Sequence, residues 1–272
     1  NTYNGIIYRA YPIEKQLLPF ELITFSPDNS NNVDSYYLAE YLYWPPQSRF
    51  PYGHIIEEIG NAGLVEVETE ALLRNYNVYN KDFSPESYDY LKKFEDHLDP
   101  ITGHFIPTEE DRKQREDLTK EIVITCDPKT ARDLDDALSI KQVENDVYEI
   151  GVHIADVGHF VEENSPLDEE ARLRTTSVYL VQRAIPMLPH LLSQNLCSLN
   201  PGVEKFTFSC FFYVKEDGTV LYDRPPRIVK SIIKCCVRFD YDMMQEVIEG
   251  KITDEKDLPV EFYPGSFNDF RF

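Results

Sequence analysis

The stretch that decides the fold reads TCDPKTARDLDDALS, residues 125–139, and it continues the apolar segment Ile122 to Cys126. Residues 137–140 and 147–157 follow with strand-like patterns, so the stretch is predicted to be an acidic loop between strands. It places four carboxylates within ten residues. Such a crowd of anions is tolerable only when a cation lies among them or some of them bind protons. The four are Asp127, Asp133, Asp135 and Asp136.

The chemistry of these side chains predicts a divalent metal site. Carboxylate oxygens are hard ligands that suit Mg²⁺, with Mn²⁺ as the alternative. In an extended backbone Asp133 and Asp135 face the same way, and Asp127 closes the ring from the strand end. The cluster has room for one metal ion or for two. Two ions, roughly 3.5 to 4 Å apart, would activate a water and stabilise the leaving oxygen of a phosphodiester.

Three other kinds of acidic loop compare with this stretch: a solvent-exposed turn, an EF-hand and a phosphatase motif. A solvent-exposed turn or helix cap stays open, because Asp-rich loops commonly have that role. An EF-hand fits poorly, since Lys129, Ala131 and Arg132 occupy offsets that need oxygen ligands or glycine. A phosphatase D-x-D motif fits poorly as well, because Pro128 and Lys129 follow the first aspartate.

Composition limits the function classes. The 272 residues include 42% hydrophobic ones and carry a net charge of −21, which excludes a generic basic coat for nucleic acid but not a narrow channel with a few cations. The same charge suits an acidic interaction protein, which is the rival hypothesis. The five cysteines form no C-x-x-C pair and are expected to be reduced and buried. Without a membrane span or signal segment, the expected location is cytoplasmic, with nuclear as the alternative.

Local patterns predict most of the elements. Strands are expected at 3–8, 20–25, 36–44 and 54–59, forming a small antiparallel barrel or sandwich, with residues 28–32 as a loop. Helices are expected at 65–75, within 107–120 and at 166–174, the last two because of capping residues. Asp217-Gly218 predicts a hairpin between strands 206–214 and 219–222.

Several segments of the chain, beginning with the acidic loop, resemble a known family. TCDPKTARDLDDALS resembles the catalytic motif of the ribonuclease II family, the RNB-domain 3′-to-5′ exoribonucleases, and especially its eukaryotic Dis3-like branch. GVHIADVGHFV (151–161), TTSVYLVQRAIPMLP (175–189) and LCSLNP (196–201) continue the resemblance in the family's order and spacing. Upstream, WPPQSRFPYGHIIEEIG (44–60) and VETEALL (67–73) look like the end of the second cold-shock-type OB barrel of these enzymes.

The resemblance implies roles residue by residue. Asp127, Asp133, Asp135 and Asp136 match the family's metal-binding and catalytic acids. Tyr179 stands where an aromatic ring packs against the terminal nucleotide, and Tyr241 where another aromatic lies near the substrate; for both, a core position is the alternative. His153 lies in a matched motif but is expected to be structural. Lys129 and Arg132 are expected to contact phosphate or to pair with the neighbouring acids.

The expected fold class is therefore mixed α+β, with an OB-type barrel at 1–75, a connector with short helices at 76–120 and the first part of an RNB catalytic domain at 121–272. The implied activity is hydrolysis of single-stranded RNA from its 3′ end to nucleoside 5′-monophosphates, with exosome-like partners as an open expectation. The family's downstream arginine and S1 barrel and its first cold-shock barrel are missing, and residues 262–272 match nothing in the family. The chain is thus expected to be a fragment, and the alternative is a catalytically inactive RNA-binding or scaffolding relative or a truncated product.

Overall fold

The computed structural model describes residues 8–23 and 34–254. The chain divides into two compact units, Asn1–Lys81 and Asp82–Phe272. Both contain helices and strands, so the mixed α+β class is confirmed. The predicted domain limits at 75 and 120 stay a prediction.

The first unit is a four-stranded sheet followed by one helix. The strand order is β1-β2-β4-β3, with β1 antiparallel to β2 and β3 antiparallel to β4. The expectation of a wholly antiparallel arrangement is wrong for one pair, because β2 and β4 run parallel. The chain reverses direction at β3 between them, so the two flanking strands point the same way. The elements are β1 Tyr8–Ala10, β2 Phe20–Leu22, β3 Ser35–Tyr43, β4 Tyr52–Asn61 and α1 Val65–Asn75.

The helix α1 has the predicted limits. Glu66 and Glu68 lie in its first turn and Arg74 in its last, where each charge opposes the helix dipole. Arg74 also binds Glu57 of β4 and Glu70, both at 2.7 Å. Of the strands predicted in this unit, residues 3–7 and 24–25 lie outside the described residues, as does the predicted loop at 28–32.

The second unit builds a seven-stranded sheet in the order β13-β6-β7-β8-β11-β12-β5. A 3₁₀ helix at Lys92–His97 and a π-helical segment at Leu191–Leu196 accompany the regular elements. Those elements are α2 Pro85–Leu91, α3 Glu109–Gln114, β5 Glu116–Leu118, β6 Val123–Asp127, β7 Asp136–Glu144, β8 Val147–Ala155, α4 Val157–Phe160, α5 Pro166–Arg174, β9 Val178–Tyr179, β10 Ala184–Ile185, β11 Glu204–Lys215, β12 Arg227–Lys234, β13 Val237–Asp240 and α6 Tyr241–Ile248.

Capping residues start the helices of this unit as the sequence predicts. Thr108 and Asp111 form a reciprocal capping box at α3. Ser165 caps α5 ahead of a proline at the first helical position. The α5 prediction is therefore confirmed at both ends, whereas α3 is shorter than the charged stretch 107–120 and gives way to β5.

The predicted hairpin around Asp217-Gly218 forms, but its second arm is too short to count as a strand. The Gly218 amide bonds the Lys215 carbonyl, and the amides of Lys215 and Leu221 donate to the carbonyls of Thr219 and Tyr213. An isolated bridge joins Val214 to Val220. The long antiparallel partner of β11 is β12, which pairs with Glu204 to Phe211.

The core of the second unit lies beneath the sheet and α5, and it includes the fully buried Phe160, Leu167 and Leu199. All five cysteines are free; Cys197, Cys235 and Cys236 are buried, whereas Cys126 and Cys210 are half-buried, so the expectation of burial holds for three. Among the described residues, no helix combines the length and the apolar character that crossing a bilayer requires.

Candidate metal and RNA site

The sheet brings the acidic residues to one edge. β6 ends at Asp127, and its antiparallel neighbour β7 begins at Asp136, so both lie at the same edge of the sheet. On the other side of β6, the parallel strand β13 ends with Asp240 opposite Asp127 in the register. The loop between β6 and β7 carries Asp133 and Asp135, so strand ends and loop gather the predicted acids in one region.

Burial and the negative charges of neighbouring carboxylates raise the pKa values of Asp127 and Asp135. Burial raises the pKa of Asp127, and the negative charge of Asp136 raises it further, while Arg238 opposes the shift. Burial also raises the pKa of Asp135, with contributions from Asp133 and Asp136. The Asp135 side chain reaches solvent, but the protein around it still disfavours its charged form. The cluster is thus electrostatically strained without a cation.

Two features support the fit of a divalent cation: one buried carboxylate oxygen without a partner, and the carboxylates around it. Oδ2 of Asp127 is buried and has no hydrogen-bond partner, which is costly for a carboxylate oxygen. Three of the four charged groups that shift the pKa of Asp127 are carboxylates, which are the ligands that Mg²⁺ and Mn²⁺ prefer, and the fourth is Arg238. Within 8–23 and 34–254, no three His, Cys, Asp or Glu side chains are arranged to hold a metal ion together. The four-aspartate metal site therefore stays a prediction.

Tyr179 lies beside the acidic loop. It belongs to the short hairpin of β9 and β10, where it pairs with Ala184. Its hydroxyl donates a short hydrogen bond to Oδ2 of Asp133. This bond, reinforced by burial, raises the pKa of Tyr179 to about 12. The side chain is 67% exposed, so the alternative that Tyr179 is a core residue is wrong.

Tyr241 is the first residue of α6 and directly follows Asp240. Its side chain is 59% exposed, which also excludes the core alternative. Because Asp240 lies opposite Asp127, Tyr241 belongs to the same sheet edge as the acids. Its role toward RNA stays a prediction.

Two polar residues that the sequence analysis did not single out hold the acidic loop in place. Ser198 accepts a hydrogen bond from the Leu134 amide and donates one to the Arg132 carbonyl, both at 3.1 Å. Arg238 of β13 donates to backbone carbonyls of the same loop. Ser198 belongs to the LCSLNP motif, which was the available signal, whereas nothing in the spacing around Arg238 pointed to the loop.

Lys129 and Arg132 lie exposed on the loop, and neither forms a salt bridge with a described acid. The alternative expectation, that Lys129 and Arg132 pair with neighbouring acids, is therefore wrong for the described residues. His153 is structural as expected, because it is fully buried and its ring nitrogens lie 2.7 Å from Oγ of Ser209 and 2.9 Å from Oγ of Ser139.

The fold is a mixed seven-stranded sheet that presents aspartates beside an exposed tyrosine at one edge. Two family models match the chain: the RNB domain over residues 115–261 and the Dis3-like cold-shock domain 2 over residues 11–77. The RNB match covers more than half of the chain. The chain belongs to the RNB domain family, with an OB-type cold-shock unit preceding the RNB part.

Named relatives agree with this assignment. DIS3-like exonuclease 2 of Schizosaccharomyces pombe is 45% identical over 82% of this chain and 23% of its own length. Exosome complex exonuclease RRP44 of Mus musculus is 38% identical over 76% of this chain and 20% of its own length. In Arabidopsis thaliana, a DIS3-like exonuclease 2 and an inactive exonuclease DIS3L2 both match at 41% over 78% of this chain and 19% of their own lengths. The chain thus spans about a quarter or less of these relatives.

Solved structures share the fold. RNase R of Mycoplasma genitalium in complex with double-stranded RNA superposes with a TM-score of 0.68 at 25% identity, covering 87% of this chain and 40% of that one. Yeast Ssd1, described as a pseudonuclease, superposes equally well, with a TM-score of 0.68 at 21% identity, covering 89% of this chain and 30% of that one. The OB-type and RNB parts of the expected fold are confirmed.

Proposed function

We propose that this chain is the part of an exoribonuclease that carries its acidic cation site, and that the enzyme shortens single-stranded RNA from the 3′ end. The observation that carries the proposal is the gathering of Asp127, Asp133, Asp135 and Asp136 at one sheet edge, with the buried Asp127 Oδ2 lacking a partner. The family assignment supports the coarser function of a ribonuclease. A 3′-to-5′ direction and a nucleoside 5′-monophosphate product are the finer parts of the proposal.

The residues divide the work as follows. Asp127, Asp135 and Asp136 would hold Mg²⁺, or Mn²⁺ in its place, and when bound the ion supplies Lewis-acid stabilisation of charge on the phosphate. Asp133 bonds the Tyr179 hydroxyl and so fixes the direction of the exposed ring, against which the last base can stack. Stacking contributes roughly 1 to 3 kcal/mol per base and accepts any base. Water attacks phosphorus, the P–O3′ bond breaks, and the departing 3′ oxygen gains a proton.

Cleavage of RNA labelled at its 5′ end tests both activity and direction. With Mg²⁺, removal of nucleotides from the 3′ end gives a descending ladder of labelled products, whereas removal from the 5′ end would release a labelled mononucleotide at once. Asp136→Asn should lower the rate by more than roughly 100-fold, the upper end for losing an outer-shell partner of a metal site. RNA affinity should stay nearly unchanged, because phosphate and base contacts remain.

Asp223→Asn is the matched control, because it makes the same charge change on an exposed loop between β11 and β12. It should cleave like the unchanged chain. Equal rates for Asp136→Asn and the unchanged chain would refute the proposal.

A second candidate is a catalytically inactive RNA-binding relative. Two Arabidopsis proteins support this candidate, because they match this chain equally although one is named an exonuclease and the other an inactive exonuclease. Calorimetry with Mn²⁺ separates the candidates: an active site takes up the ion and Asp136→Asn abolishes the uptake. RNA binding without Mn²⁺ uptake or cleavage would establish the inactive relative.

Partners and location belong to the same proposal. The match to an exosome complex exonuclease makes an exosome-like assembly the partner to test by co-purification. A cytoplasmic or nuclear location follows from an RNA substrate and is checked by imaging a tagged chain.

A further inference from the structure

The loop that carries the acids begins with a tight turn at residues 128–131. The Ala131 amide closes this turn by donating to the Pro128 carbonyl at 2.9 Å. The carbonyls of the turn converge on one guanidinium nitrogen. Nη2 of Arg238 lies 2.6 Å from the Ala131 oxygen and 3.3 Å from the oxygens of Pro128 and Lys129.

The sheet fixes where this guanidinium can reach. Arg238 lies opposite Thr125 in the parallel pair of β13 and β6, two residues before Asp127 and Asp240 meet at the edge. The side chain is half-buried and forms no salt bridge with the carboxylates in the described part of the chain. Its Nη2 donates to backbone oxygens of the turn and not to a carboxylate, so the acids keep their own oxygens available for a cation.

We propose that Arg238 is a positioning residue of the cation site, which holds the 128–131 turn and so fixes Asp127, before the turn, relative to Asp135 and Asp136, after it. This rests on the proposed function, because the acids need a common geometry only if they share an ion. All three contacts come from Nη2, whose two N–H groups are shared among the three carbonyls, so a lysine ammonium would keep part of this tether. A loop tethered at one end by Arg238 and at the other by Ser198 keeps its acids in place before the cation arrives.

A positioning role and a purely electrostatic role predict changes of opposite sign. Arg238 is a positive charge near a cation site, so removing its charge alone should strengthen the binding of a divalent cation. Removing a tether that orders the ligands should weaken it. The sign of the change in Mn²⁺ affinity therefore decides between the two roles.

The experiment measures Mn²⁺ binding by calorimetry for the whole chain and for Arg238→Met, Arg238→Lys and Arg224→Met. Arg238→Met should weaken binding by roughly 10- to 100-fold, the usual loss on removing a residue that orients metal ligands. Arg238→Lys should restore part of the affinity. Arg224→Met, which removes the same charge from a residue bonded to Glu144, should bind like the unchanged chain. Affinity that is equal or higher in Arg238→Met overturns the positioning role and leaves the proposed function standing.

Amide hydrogen exchange without metal gives an independent readout. The amides of Ala131 and Leu134 report on the two ends of the loop. Arg238→Met should speed exchange at Ala131 by at least several-fold and leave the helix α5 unchanged. No Mn²⁺ uptake by the unchanged chain would refute the cation site itself, and unchanged exchange at Ala131 would refute the tether, so the two failures are distinguishable.

Discussion

At the scale of one residue, Asp135 shows how the proposed cation site lowers the stability of the metal-free chain. Burial and the charges of Asp133 and Asp136 raise its pKa above that of an unfolded chain. Its stabilising contribution is therefore complete below the unfolded pKa and is lost as pH rises through the folded value. At neutral pH without metal, Asp135→Asn should raise the free energy of unfolding by less than about 1 kcal/mol, because solvent screens this accessible group.

Thermal unfolding in EDTA at pH 7 and pH 4 checks the effect of this substitution. The gain should be present at pH 7 and shrink toward pH 4, because the raised pKa lets Asp135 take up a proton in the folded chain before it does so in the unfolded chain. A loss of stability at pH 7 would show that the ionised carboxylate has a favourable partner in the folded chain.

His153 titrates in the opposite sense. Burial lowers its pKa to about 4, so the folded chain favours the neutral ring. Stability is present above the unfolded pKa of about 6.5 and is lost as pH falls toward 4. A shift of this size corresponds to roughly 3 kcal/mol. Chemical unfolding of the unchanged chain and His153→Gln between pH 7 and pH 4 should show that loss only with histidine; parallel curves would contradict it.

At the scale of elements, the close contact between β7 and β8 depends on a glycine. A Cβ on Gly151 would lie 2.3 Å from Oγ of Ser139 and 2.8 Å from Nε2 of His153, and nothing can stay that close. Gly151→Ala should therefore cost about 1 to 3 kcal/mol, the usual cost of overpacking. Urea unfolding measures it, and adding Ser139→Ala should recover part of the loss. An additive double variant would show that the strain lies elsewhere.

What the sequence predicted well was local. The limits of α1 follow from charge placement in its first and last turns, and those of α5 follow from its capping serine and the proline after it. The acidic loop was also predictable, because its four carboxylates lie within ten residues of one another. Long-range pairing was not predictable. The parallel pair of β6 and β13 aligns Ile124 with Val237, and no local pattern states that register.

That pairing explains the residues that were missed. Arg238 reaches the acidic loop only because β13 lies beside β6, and Asp240 stands opposite Asp127 for the same reason. The long pairing of β11 with β12 was unpredictable for the same reason, since no local pattern brings those two strands together. A motif therefore locates the acids, whereas the sheet determines what supports them.

At the scale of the whole molecule, a net charge of −21 must coexist with the polyanionic substrate that we propose. Phosphate contacts release counterions, so the salt dependence of binding counts the cations that take part. On the acidic loop, the exposed Lys129 and Arg132 are free of salt bridges to described acids. Affinity for RNA is therefore expected to come largely from a few local charges and from base stacking.

This gives a measurable slope. With about two phosphate contacts and roughly −0.7 per contact for single strands, the logarithm of RNA affinity should fall with a slope of about −1.4 against the logarithm of salt concentration. Fluorescence anisotropy measures it, in the Asp136→Asn background so that the RNA stays intact. Lys129→Gln and Arg132→Gln should each make the slope shallower by about 0.7. The control Lys215→Gln, at the last residue of β11, should leave the slope unchanged. A slope steeper than about −4 that neither loop substitution alters would place the RNA on another, more basic surface and would separate the bound strand from the acidic edge.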